Sequence, residues 1–243
     1  MNSEKPIIIV KDLVKKFDSF VANDHLTFEV KQGEIFGFLG ANGAGKTTAI
    51  RILCGLSSPT SGQISVAGFD AYHQADKIKK NIGYMSQKFS LYEDLTVVEN
   101  IRLYGGIYGI SRKEINVRTQ ELVEKLGIAT VQNKLIKDLP LGWRQKLAFS
   151  VAVFHHPKIV FLDEPTGGVD PITRRQFWDM IYEAAHEGIT IFVTTHYMDE
   201  AEYCDRVSIM VDGKIVALDT PANLKTTFGV QSINEVFLKL ARN

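Results

Sequence analysis

Along the chain, period-two or continuous apolar runs alternate with amphipathic stretches. That alternation predicts an α/β fold, with strands covered by helices. In LTFEV, Leu26, Phe28 and Val30 share one strand face. IFGFLG is apolar and runs straight into a glycine-rich loop; a helix is expected from Ala49 to Leu56, ended by the turn residues SSPTSG. IGYMSQ, Ile82 to Gln87, reads as a further strand. From Leu95 to Leu126 the reading becomes helical. Thr96 with Glu99, and Ser111 with Glu114, have the spacing of a capping box, and Ile115, Leu122 and Leu126 mark one apolar face. This region predicts a small α-helical subdomain, over about residues 88–155, inserted between core strands. The buried strand KIVFLD, a helix from Pro171 to about His186 with Asp170 as its N-cap, and the strand ITIFVTT follow.

Composition narrows the picture. A chain of 243 residues suits one domain, 1–243, large enough to bury a continuous interior. Lys plus Arg number 28 and Asp plus Glu 28, so the formal net charge is zero and nucleic acid is not an expected partner. The apolar run near the amino terminus is much too short for a signal peptide or membrane span, and no other window reaches the roughly eighteen residues a spanning helix needs. The expectation is a soluble, cytoplasmic protein whose membrane role, if any, runs through a partner. Cys54 and Cys204 lie far apart without metal-ligand spacing and read as buried thiols of a reducing compartment.

The chemical signal is densest at GANGAGKTT, Gly40 to Thr48, which fits the phosphate-loop pattern GxxxxGK[ST] between a strand and a helix. Backbone amides from Gly40, Asn42, Gly43, Ala44 and Gly45 would wrap a polyphosphate at a positive helix end. Lys46 would reach the β and γ phosphates, and Thr47 can ligate Mg²⁺. A flexible Gly/Ala turn is the bland alternative. In IVFLDEP a buried strand ends in two carboxylates: Asp163 falls near the Mg²⁺ side of the loop, and Glu164 can polarise a water. A solvated charge pair would look the same in isolation. His196 follows a third apolar strand, where it is either structural or placed to hold a γ-phosphate and the attacking water; Gln87 ends IGYMSQ similarly.

In order, GANGAGKTT, Gln87, LPLGWRQKLA, IVFLDEP, GGVD and His196 resemble the motif set of the ATP-binding subunits of ABC transporters, from about Ile8 to Leu224. The resemblance implies a RecA-like P-loop ATPase core, an antiparallel β subdomain near the amino terminus and the helical insertion above. It also implies two such domains enclosing two ATP molecules head to tail. Phe17 matches the aromatic that stacks on adenine, with core filling as its alternative. Lys46, Thr47 and Thr48 match the phosphate and magnesium contacts, Asp163 the metal-side acid and Glu164 the catalytic base. His196 matches the switch histidine, and Asp170 the loop that crosses to the opposite subunit. Gln87 matches the glutamine linking the magnesium site to the transport partner.

LPLGW stands where the family usually has LSGGQ, a helix start aimed at the γ-phosphate of the other subunit. Pro140 replaces the serine, Leu141 the first glycine and Trp143 the glutamine; Leu139 and Gly142 match. A hydroxyl donor to a charged oxygen, worth about 1.5–3 kcal/mol, is thereby lost, and proline has no amide hydrogen to substitute. The following amides and the helix dipole still make an anion site. The helix's own packing gives little reason for its proline, glycine and tryptophan. Together with GVDP and THYMDEAEYCDR, this variant resembles the branch serving type-two exporters of drugs and other hydrophobic compounds. The expected partners are a separate membrane permease and a second nucleotide-binding domain, either a copy of this chain or a paralogue. A soluble ABC-type ATPase with a non-transport role, or a non-catalytic nucleotide sensor, would share most of these motifs.

Overall fold

The computed structural model describes residues 5–87 and 91–241. Two sheets organise the chain. The first contains β1 (Pro6–Phe17), β2 (Phe20–Lys31), β4 (Ser61–Val66) and β5 (Phe69–Asp70), in the order β2-β1-β4-β5 and antiparallel throughout. Alternation in β2 buries Leu26, Phe28 and Val30 and exposes the residues between them, as the pattern predicted.

The second sheet has the order β10-β9-β3-β8-β7-β6. Its strands are β3 (Ile35–Gly40), β6 (Ile82–Met85), β7 (Ile159–Asp163), β8 (Thr190–Thr195), β9 (Arg206–Val211) and β10 (Lys214–Asp219). Only β10 runs antiparallel to its neighbour. Strands β3, β7 and β8 are buried on both faces, which is why they read as continuous apolar runs. On one side Phe28 of β2 meets Phe36, Phe38 and Phe192, with ring centroids 5.5–6.2 Å apart, and so fastens the antiparallel sheet to the parallel one. Each such buried ring contributes about 1.5–3 kcal/mol.

The helices are α1 (Lys46–Leu53), α2 (Ala75–Asn81), α3 (Val97–Ile107), α4 (Arg112–Lys125), α5 (Leu141–Val153), α6 (Pro171–His186), α7 (Pro221–Phe228) and α8 (Ile233–Leu240). Helix α1 begins at Lys46, three residues earlier than expected, because left-handed Gly45 ends the loop and serves as its N-cap. The stretch from Leu95 is two helices, broken where Gly109 turns at φ 76°. Thr96 and Glu99 form the full capping box. Ser111 accepts from the Glu114 amide, while the Glu114 carboxylate pairs with Arg118. Helices α3, α4 and α5 lie between β6 and β7; the expected start of an α-helical subdomain at residue 88 lies outside the described residues. Helix α6 and its Asp170 cap match the expectation. Both cysteines are buried and free, with thiol pKa values pushed well up by desolvation.

Strand β6, which leads to Gln87, is tied to the helical region from two directions. Gly83 lies so close to α5 that a Cβ there would overlap the Ala152 carbonyl. Just past α5, His155 Nε2 donates to the Ile82 carbonyl (3.1 Å), and its ring stacks on Tyr108 at the end of α3 (centroids 3.5 Å, planes 9° apart). Burial depresses the His155 pKa to about 4, only partly opposed by the bond to Ile82.

An unfolded histidine titrates near 6.5, so between about pH 4 and 6.5 the unfolded chain binds more protons and this residue's contribution to stability is lost as pH falls. His155→Phe is therefore expected to lose less stability than wild type between pH 7 and pH 5 in urea unfolding. Equal losses would refute the assignment.

Candidate functional site

The order β3-β8-β7-β6 sets four strand ends side by side at one edge of the sheet. Ligands of open parallel sheets bind at such carboxyl ends. The residues following these ends are the phosphate loop, His196, Glu164 and Gln87. Leu39 is paired with Thr195 and Asp163 with Thr194, so the neighbours are in register.

Local sequence dictates the loop's shape. Gly43 (φ 86°) and Gly45 (φ 98°) adopt left-handed backbone that other residues rarely accept. Gly45 is doubly constrained, because a Cβ would overlap the Ala22 carbonyl oxygen and approach Asn23 Nδ2 to 2.8 Å. Asn23, fully buried in β2, donates from Nδ2 to the Gly45 carbonyl at 3.1 Å. The antiparallel sheet thus buttresses the back of the loop. Sequence reasoning missed Asn23; its signal was a polar residue within a stretch of β2 that turns inward.

Buried Lys46 places Nζ 2.8 Å from the Gly40 carbonyl, 3.1 Å from that of Ala41 and 3.2 Å from Glu164 Oε1. Glu164 Oε2 accepts from Gln87 Nε2 at 2.9 Å and lies 3.0 Å from His196 Nδ1. Three residues separated widely in sequence therefore converge on one carboxylate. Glu164 itself sits at φ 51°, a strained backbone for a non-glycine residue. Its amide is held by the carbonyl and hydroxyl of Thr194, 3.1 Å each.

Asp163 makes a second cluster. Its Oδ1 accepts from Thr194 Oγ1 (2.8 Å) and Thr47 Oγ1 (3.2 Å). Desolvation raises the Asp163 pKa, while those two hydroxyls act in the opposite direction. Thr194 is another residue missed from sequence; it is one of three threonines in β8, and only its position beside Asp163 sets it apart. Among the described residues no three His, Cys, Asp or Glu gather as a metal site. One carboxylate and one hydroxyl beside a phosphate loop nevertheless suit Mg²⁺, which takes few protein oxygens and completes its shell with water and phosphate.

Phe17 ends β1 with its ring 51% exposed and Lys15 Nζ 4.7 Å from the centroid, so it does not fill the core. Asp170 caps α6, accepting from the amides of Ile172 and Thr173 and the Thr173 hydroxyl, bonds that hold its carboxyl below the usual range. At α5, Pro140 is the N-cap and contributes no side-chain bond. Gly142 is explained by packing between helices: a Cβ would lie 2.7 Å from Thr173 Cγ2 on α6. Trp143 is 36% exposed and, with Pro140, Leu141, Asp170 and Thr173, lines a recess between the tips of α5 and α6.

A family profile described as ABC transporter matches residues 23–167. This chain belongs to the ABC transporter family. It is 48% identical over 229 residues to the probable multidrug ABC transporter ATP-binding protein YbhF of Escherichia coli, covering 94% of this chain and 39% of that one. It is 34% identical over 227 residues to the linearmycin resistance ATP-binding protein LnrL of Bacillus subtilis, covering 90% of this chain and 73% of LnrL. Among solved structures, an ATP-binding subunit of an ABC transporter matches with a TM-score of 0.87 and 29% identity over 96% of this chain and 99% of that one. The dimeric bacterial cassette MJ0796 matches at 0.80 and 25% over 88% and 98%. The cassette spans about two fifths of the length of the Escherichia coli relative. Among its described residues no helix is long and apolar enough to cross a membrane.

Replacing Lys46 by Ala should weaken ATP binding tenfold or more, on the order of a lost charge-assisted contact. Equilibrium binding of a fluorescent ATP analogue measures this, and an unchanged dissociation constant would refute the phosphate-loop assignment.

Proposed function

We propose that this cassette hydrolyses ATP to drive a separate membrane permease that exports drugs or other hydrophobic compounds. The observation that carries the reading is the convergence of Lys46, Gln87 and His196 on the Glu164 carboxylate beside the phosphate loop. In this reading the loop amides and Lys46 hold the β and γ phosphates, and Phe17 offers an exposed ring to adenine. Thr47 and Asp163 would hold Mg²⁺, which neutralises charge on the phosphate oxygens. Glu164 takes a proton from water as the water oxygen bonds to the γ-phosphorus and the bond to the ADP oxygen breaks. His196 fixes the position of that water, and Gln87 carries the state of the site towards the permease. The intact carboxylate cluster supports a hydrolytic enzyme over a nucleotide sensor.

The working unit is a pair of cassettes, either two copies or this chain with a paralogue, docked on the cytoplasmic face of the membrane. The names of YbhF, a probable multidrug ABC transporter ATP-binding protein, and LnrL, a linearmycin resistance ATP-binding protein, support the drug-export reading. In this reading the recess lined by Pro140, Leu141, Gly142, Trp143 and Asp170 would face the nucleotide held by the second cassette. Differential affinity of ATP for the closed pair does the mechanical work.

Glu164→Gln is expected to reduce the ATPase rate on the order of a hundredfold or more with ATP affinity retained; normal turnover would remove Glu164 from this role. Pro140→Ser restores a side-chain cap and a donor towards the partner. It should tighten ATP-dependent dimerisation about tenfold in sedimentation measurements, whereas an unaltered constant would mean that the α5 amides suffice.

A further inference from the structure

Arg174, on the first turn of α6, has none of the roles above, yet its guanidinium gathers three residues of the segment that follows β8. Its Cζ lies 4.2 Å from the centroid of the Tyr197 ring, its Nη1 3.4 Å from Asp199 Oδ2 and its Nε 3.7 Å from Glu200 Oε1. A flat guanidinium over an aromatic face is held by cation–π attraction and stacking together. Tyr197 in turn packs on His196, ring centroids 4.2 Å apart, and His196 Nδ1 meets Glu164 Oε2 at 3.0 Å. Tyr197 also lines the same cavity as Gln87, Glu164 and His196.

The far end of this chain of contacts is buried. Glu200 is fully enclosed, and its Oε1 accepts from the hydroxyl of Thr166, two residues beyond Glu164. Arg174 Nε is shut off from solvent but stops short of a hydrogen bond to that carboxylate, and Glu200 Oε2 has no donor among the described residues. A buried ion pair stabilises a fold only when its geometry is good and its remaining atoms are hydrogen-bonded. Neither condition holds here, so stability does not account for the arrangement. What the guanidinium does reach squarely is the face of Tyr197.

We propose that Arg174 is a positioning residue for His196: anchored by the Glu200 carboxylate, it presses the Tyr197 ring against the imidazole and so fixes the imidazole beside Glu164. The same side chain ties the tip of α6, where Asp170 is the cap, to that histidine. This deepens, and rests on, the reading of the Glu164 cluster as the hydrolytic centre of an ATPase.

The test compares wild type, Arg174→Lys, Tyr197→Leu and the double variant in steady-state ATPase assays, binding of a fluorescent ATP analogue and thermal unfolding. Arg174→Lys keeps the positive charge but loses the flat face that stacks on Tyr197; Tyr197→Leu removes the ring and leaves Arg174 and Glu200 in place. Each should lower kcat on the order of tenfold with analogue affinity within about twofold of wild type, and the double variant should fall no further than the worse single one. In histidine-labelled Arg174→Lys, the imidazole NMR resonance of His196 should move, while that of His155, whose ring packs on Tyr108, stays in place. Wild-type kcat in Arg174→Lys would overturn the proposal, as would additive losses in the double variant or an unmoved His196 resonance. Displacement of His155 as well, with a lowered melting temperature, would mark Arg174 as a structural residue and overturn it too. Absence of turnover in the wild type would instead sink the ATPase reading, leaving the His196 resonance to decide whether Arg174 positions that ring.

Discussion

Lys46 and Glu164 face one another at 3.2 Å, both nearly excluded from water, and most of this fold is concerned with keeping that ammonium and that carboxylate apart from solvent yet available. Charges so buried are tolerated only when paired and hydrogen-bonded. Two backbone carbonyls share the ammonium; Gln87 and His196 share the carboxylate. The same groups that satisfy each other are those that, in the proposed mechanism, would meet a triphosphate and a water, so that binding and chemistry would share one edge of a sheet.

Support for that pair comes from every layer. Parallel pairing aligns the four strand ends. The antiparallel sheet presses Ala22 and Asn23 against Gly45, leaving room for no side chain. Thr194 fastens both Asp163 and the strained Glu164 backbone. Helix α5 packs Gly142 on Thr173 and sends Gln145 to Gly167, so the tip that carries LPLGW is tied to the loop that follows Glu164 in its own chain. The departure from LSGGQ therefore sits on a well-supported helix. What it changes is the chemistry of the tip, and the scaffold beneath it is kept.

Much of this was legible in the chain. The fold class followed from period-two and continuous apolar runs alternating with amphipathic stretches. The phosphate loop, Asp163, Glu164 and the Asp170 cap followed from residue types at spacings that local geometry requires. Less visible were contacts made across the sheet order. Asn23, Thr194 and Gln145 act through partners 22, 31 and 22 residues away, and nothing in their immediate neighbours announces those partners. The early start of α1 was missed because glycine at positive φ can end a loop and begin a helix in the same place; the second helix start at Ser111 was announced by its spacing to Glu114.

Sequence by itself determined which elements form and which chemical groups stand at their ends, because hydrophobic period, glycine placement and capping are local properties of consecutive residues. Tertiary structure alone decided that Lys46, Gln87 and His196 meet at Glu164, that a β2 asparagine braces the loop, and that Gly142 is demanded by a threonine on another helix. Those outcomes depend on strand order and on distances of closest approach between segments remote in the chain, quantities that packing sets and that no short stretch of residues encodes.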